Sequence, residues 1–146
     1  MTSTRQWMIA VASAWLLALA SASYAQNFQI NLGGKNLGML SYTQSGKITR
    51  LQSSMNNTPL GVFNGTFKAS SRDGVSSSGK RAQDYLGESK SSRKSRQIGM
   101  VIEEGRVLST AITPETEKTK LSNPEHVPIG VVDPVAAIGR LINAQD

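Results

Sequence analysis

Cysteine is absent from the chain. No disulfide can staple the fold, so whatever domain forms must hold on its core alone. The same absence removes the lipobox that would anchor a lipid near the N-terminus. Histidine occurs once, as His126. A single histidine with no cysteine makes a poor metal first shell, and its neighbours in sequence are only Glu117, Glu125 and Asp133. A Ser-His-Asp arrangement would require the fold to bring His126 to both a serine and an acid. Aromatics are few, with three Phe, three Tyr and two Trp. Both tryptophans, Trp7 and Trp15, lie near the N-terminus, and beyond Ala25 only Phe28, Tyr42, Phe63, Phe67 and Tyr85 remain. That is a thin supply for stacking on bases, and nucleic acid is not an expected partner. The one long apolar run, Trp7 to Ala20, falls short of the roughly 20 residues a membrane span needs.

That run sits in a pattern of its own. Arg5 supplies a positive start, Trp7–Ala20 the apolar stretch, and Ser23-Tyr24-Ala25 a small-x-small cleavage site before Gln26. Residues 1–25 are expected to be a cleaved secretory signal, with periplasmic or secreted localisation and no membrane span left afterwards. The remainder, residues 26–146, is long enough for one domain that buries roughly two thirds of its unfolded surface. Its net charge falls from +6 to +5, because only Arg5 leaves. A positive balance favours anionic partners without specifying a fold.

From Asn27 the pattern alternates. Phe28, Ile30 and Leu32 mark a strand, Gly33-Gly34-Lys35-Asn36 a turn, and Leu37–Thr43 its return. Gln44-Ser45-Gly46 turns into Lys47–Met55. Asn56-Asn57-Thr58-Pro59 breaks the pattern, and Leu60–Ser71 predicts a further strand with Phe63, Phe67 and Ala69 on one face and Gly61 and Gly65 between them. Glycines on such a face signal close approach by another element. Ser70–Gly79 is polar and reads as a flexible loop, or a hairpin end turning at Asp73-Gly74. Ile98–Ile112 is the clearest hairpin, turning at Glu103-Glu104-Gly105. Thr113–Pro128 predicts a long loop.

Val127–Ala144 is the other apolar helix-like run. Asp133 suits an N-cap and Pro134 the first helical position. Val135, Ile138, Leu141 and Ile142 recur at helical spacing and predict one buried stripe. The predicted fold is mainly β: a curved antiparallel sheet, or partly open barrel, with one C-terminal helix packed on it. The face of Gly61, Phe63, Gly65 and Phe67 is the expected partner of that stripe, and these four with Asp133, Pro134, Ile138 and Leu141 are the expected structural residues.

Candidate chemistry is sparse. Gly74–Lys80 spaces its glycine and lysine like a phosphate-binding loop, but Arg81 stands where Ser or Thr should hold magnesium, and a helix should follow. Ser77–Lys80 and Ser91–Lys94 match S-x-x-K without its companion motifs. Glu103, Glu104, Glu115 and Glu117 could supply paired carboxylates, though Glu103 and Glu104 fall in a turn. The sequons at Asn56 and Asn64 are short and common. The basic segment Lys80–Arg96 carries the strongest binding signal. Lys90, Arg93, Lys94 and Arg96 are candidate ligands for phosphate-bearing envelope polymers or lipid head groups, or else a solvated strand face.

Several stretches resemble a family of exported proteobacterial proteins known only as a domain of unknown function. They are the N-terminal signal, the Gly33 hairpin, Asn57–Phe67 (NTPLGVFNGTF), the R-K-S-R run before Ile98, and Val132–Ile138 (VDPVAAI). The resemblance implies a periplasmic antiparallel sheet wrapping a short helix, and it carries over no catalytic residue. The expected function is a non-enzymatic module that binds or scaffolds an envelope component, anionic or lipid, with no cofactor. The alternatives are a carrier of a hydrophobic ligand between sheet and helix, and a small hydrolase.

Overall fold

A computed structural model describes residues 23–61 and 64–144. Seven strands follow one another as a simple antiparallel meander: β1 (Ser23–Leu32), β2 (Lys35–Ser45), β3 (Ile48–Met55), β4 (Gly65–Val75), β5 (Arg81–Ser91), β6 (Ser95–Glu103) and β7 (Arg106–Thr113). Each strand pairs only with its neighbours in sequence, so the sheet is not closed. Helix α1 (Pro134–Asn143) lies on one face and meets β3 and β4. The predicted class is therefore the observed one.

Helix α1 starts as its sequence dictates. The Asp133 carboxylate accepts from the Ala136 N–H at 2.9 Å, and Pro134 occupies the first turn, where its missing N–H costs nothing. Val135 is wholly buried and joins Tyr42, Leu51, Ala69 and Tyr85 in the core. Full burial of one such side chain contributes about 1.5–3 kcal/mol. Phe28 on β1 and Ile98 on β6 pack on the same cluster, which needs a sheet that curls about the helix.

Register explains the core. Tyr42 on β2 faces Leu51, Leu51 faces Ala69, and Ala69 faces Gly87. These residues share the helix-side face because alternate strand positions point the same way. One row towards the end that holds the β2–β3, β4–β5 and β6–β7 turns, the pairs turn polar, Gln44 with Thr49 and Thr49 with Ser71, until Ser71 meets Tyr85 of the core.

Several expectations change. Leu141 does not join the stripe; it is 68% exposed, and the helix presents Val135, Ile138 and Ile142 to the core instead. At 100° per residue Leu141 stands about 60° from Ile138 and about 100° from Ile142, far enough to turn it to solvent on so short a helix. Gly61 lies not in a strand but in a 3₁₀ turn, Pro59–Gly61. Gly65 does mark a close approach, but by a strand. A Cβ there would meet the Lys90 carbonyl oxygen at 2.5 Å. The glycine that admits sheet to helix is on the helix: a Cβ on Gly139 would stand 2.6 Å from the Tyr42 hydroxyl. Phe63 lies outside the described residues.

The polar segments also pair more than expected. β4 runs on through Asp73 and Gly74 to Val75, and β5 occupies most of the basic stretch. Thr113–Pro128 folds as three 3₁₀ turns, Glu115–Glu117, Lys120–Ser122 and Pro124–His126, that pack along β7. Ser23-Tyr24-Ala25 and the bond to Gln26 fall inside β1, and residues 1–22 of the expected signal lie outside the described residues.

Candidate functional site

A meander sends alternate turns to opposite ends of its sheet. The β2–β3, β4–β5 and β6–β7 turns share one end. At that end the segment entering α1 bends back over the sheet. The Gly130 and Val131 N–H groups both donate to the Gly105 carbonyl, at 2.8 and 3.0 Å. Gly105 has φ +80°, and a Cβ there would meet Gly130 at 3.1 Å, so this turn-on-turn contact requires glycine.

The bend roofs a cleft of about 710 Å³. Val75, Ala82, Ile102, Val131 and Val132 supply its apolar lining. Lys47, Arg81 and Arg140 bring three cations from the β2–β3 turn, the start of β5 and α1. None of the three has a carboxylate within ion-pair distance among the described residues. The two carboxylates in the cleft are already held. Glu104 pairs with Lys80 at 3.2 Å, and Asp73 accepts from the Gln83 amide at 3.1 Å.

A second cleft of about 220 Å³ shares Asp73, Gln83 and Arg140 with the first. Its other walls are Tyr42, Gln44, Thr49, Ser71, Ala136, Gly139 and Asn143. Beside it Asp133 is fully buried, one carboxylate oxygen capping α1 and the other accepting from the Ser71 hydroxyl at 3.0 Å. The Tyr85 phenol is pushed above its ordinary pKa, first by burial and then by the Asp133 charge. The Ser71 proton is thus committed to a structural bond.

The basic residues singled out from sequence lie at the opposite end, around the β5–β6 turn. Lys90 and Arg93 are exposed. Lys94 and Arg96 both pair with Glu117 in the first 3₁₀ turn, the Lys94 bond at 3.0 Å. These two bonds hold the Glu117 carboxyl below its ordinary pKa. Lys90 and Lys94 border a cleft of about 340 Å³ with Phe67 and Met55.

The other motifs resolve into turns. The Gly74–Lys80 segment passes from strand to turn to strand, so no helix N-terminus is present to receive a phosphate. Both S-x-x-K matches fall at hairpin turns, Ser76–Lys80 and Ser91–Lys94. Glu103 accepts from the Ser78 hydroxyl at 2.7 Å, and bonding from Ser76 and Ser78 lowers its pKa. Lys118 does the same for Glu115. The His126 ring lies 3.2 Å from the Lys120 carbonyl, in the turn against β7. Among the described residues no three His, Cys, Asp or Glu side chains group to hold a metal.

No family model, curated protein or solved structure matches the chain. Lys47, Gln83 and Arg140 carry no signal in the sequence; Arg81 enters there only as part of the basic segment Lys80–Arg96, and Asp73 only as a turn residue. One signal was available: Asp73 and Ser71 alternate in phase with Phe67 and Ala69, which places polar groups on the core-side face.

Proposed function

We propose that the chain is an exported, non-enzymatic module that binds a component of the cell envelope on the helix side of its open sheet. The observation that carries this reading is the 710 Å³ cleft between the entry to α1 and the strand ends, where an apolar lining meets three cations without carboxylate partners. Its volume falls in the range of small-molecule sites, and a largely apolar wall with a few convergent polar groups is their usual composition. Export rests on the N-terminal pattern of Arg5, Trp7–Ala20 and Ser23-Tyr24-Ala25. The resemblance to exported proteobacterial proteins supports the same compartment.

The apolar side chains Val75, Ile102, Val131 and Val132 support a second reading, in which the cleft carries a hydrophobic ligand. Native mass spectrometry of the chain recovered from a periplasmic extract tests both. A bound envelope-derived molecule is expected, and its chemistry separates the two. A chain absent from the periplasmic fraction, or recovered there with nothing bound across independent preparations, would sink the proposal.

A further inference from the structure

We infer that the ligand of this face is an acidic, hydroxyl-rich molecule, a saccharide bearing phosphate or carboxylate, and that Arg140 reads its acid group. The inference rests on the binding-module reading above and deepens it.

Charge sets the sign of the ligand. Lys47, Arg81 and Arg140 converge on one cleft with no ion pair among them. Outside the cleft Lys80, Lys94, Arg96 and Lys118 each pair with a glutamate, while Lys90 and Arg93 lie exposed at the surface; what sets the three cleft cations apart is that they meet in one concavity. Glu104 is taken by Lys80, which leaves Asp73 as the one carboxylate facing three cations; the excess positive charge is unfavourable, and an anion in the cleft relieves it. Arginine's planar fork matches the oxygens of a carboxylate or phosphate in pairs.

Polarity of the wall sets the rest of the molecule. The two clefts share Asp73, Gln83 and Arg140 and so adjoin as two halves of one face. Its second half is lined by Gln44, Thr49, Ser71 and Asn143, amides and hydroxyls on the face where a sheet normally offers apolar side chains to its helix. An acyl chain laid there would strip these groups of water and return no hydrogen bonds. Sugar hydroxyls both donate and accept, as amides and hydroxyls do. Arg140 stands where the cationic half meets the polar half, so an acid group there leaves the rest of the ligand lying along Gln44 and Thr49.

The test is titration calorimetry on the full chain with five probes: a hexose phosphate, an oligogalacturonate, neutral maltotriose, phosphatidylglycerol vesicles and inorganic phosphate. Binding of either acidic saccharide is expected, with the first two probes separating phosphate from carboxylate. Arg140→Gln should weaken it about tenfold, the loss of one charge-assisted bond. Gln44→Leu should weaken the saccharide while leaving inorganic phosphate unchanged. Arg140 and Gln44 are exposed, so both variants should keep the parent melting temperature, which circular dichroism checks. Equal affinity for maltotriose would overturn the role of charge. Binding to vesicles alone, or to none of the probes, would overturn the saccharide. In those cases a ligand seen by native mass spectrometry would still leave the module reading standing.

Discussion

The Ser71 hydroxyl donates to the Asp133 carboxylate at 3.0 Å, joining β4 to the start of α1 across 62 positions of sequence. The other oxygen of the same carboxylate caps the helix. One buried side chain therefore fixes both where the helix begins and where it sits on the sheet.

We predict that Asp133→Ala destabilises the protein by about 3 kcal/mol, a lost cap plus a buried hydroxyl left without its acceptor. Asp133→Asn keeps an oxygen for the Ala136 N–H and should cost less. Urea melts of Asp133→Asn, Ser71→Ala and the double variant should give a coupling energy of about 1 kcal/mol. A coupling indistinguishable from zero would mean that the two residues do not act as a pair.

Gly139→Ala sets two effects against each other. Alanine favours a helix over glycine by about 1 kcal/mol. Its Cβ, however, would stand 2.6 Å from the Tyr42 hydroxyl, on a ring only 3% exposed and unable to swing away. Overpacking of this kind costs about 1–3 kcal/mol, so we predict net destabilisation. Tyr42→Phe removes the clashing oxygen and should recover much of the loss. A stabilised single variant would show that the helix can lift off Tyr42.

Two neighbouring helix positions should behave in opposite ways. Ile138→Asp places an unpaired charge against the core and should abolish cooperative folding. Leu141→Ser, at an exposed position, should change stability by no more than about 0.5 kcal/mol. Thermal melts of the two variants check this, and similar melting temperatures would contradict the packing of α1.

Stability should fall at both ends of the pH range. The Glu117 carboxyl is lowered by its bonds to Lys94 and Arg96. Its contribution is present above the unfolded value of about 4.3 and fades as pH drops through the lower folded value. Replacing Lys90, Arg93, Lys94 and Arg96 together with Ser should leave the fold intact and remove this acid-sensitive step. The Tyr85 phenol is raised by burial and by Asp133, so its contribution is full below about pH 10 and lost as pH climbs toward the folded value. Tyr85→Phe should flatten the alkaline limb. Denaturant midpoints measured across pH read both effects, and unchanged limbs in these variants would refute them.

Much of the architecture was legible in residue order. Phe28-x-Ile30, the Gly33-Gly34 turn and the hairpin around Glu103-Glu104-Gly105 announce antiparallel strands, because side chains alternate and glycine permits the turns. Arg72–Val75 and Arg81–Ser91 carry no such signal. Most of their side chains are polar, and they are strands because they pair with each other and with β3 and β6, which satisfies their backbone hydrogen bonds. Strand propensity is a weak guide where neighbours decide.

The candidate site was less legible still. The run Lys90–Arg96 is dense in sequence and so stood out, yet two of its charges are spent on Glu117, a partner more than twenty positions away. Lys47, Arg81 and Arg140 lie more than thirty positions apart from one another and meet only because alternate hairpin turns share one end of a meander.

Sequence by itself determined the class of fold, the start of the helix at Asp133-Pro134, and the lack of any disulfide to hold it. These are local properties: alternation, capping chemistry and composition act within a few residues. Tertiary structure alone decided that Leu141 faces solvent, that Gly139 rather than Gly61 admits the helix, and that three scattered cations share a cleft. Those outcomes depend on strand register and on where the helix rests, which are set by contacts between residues far apart in the chain.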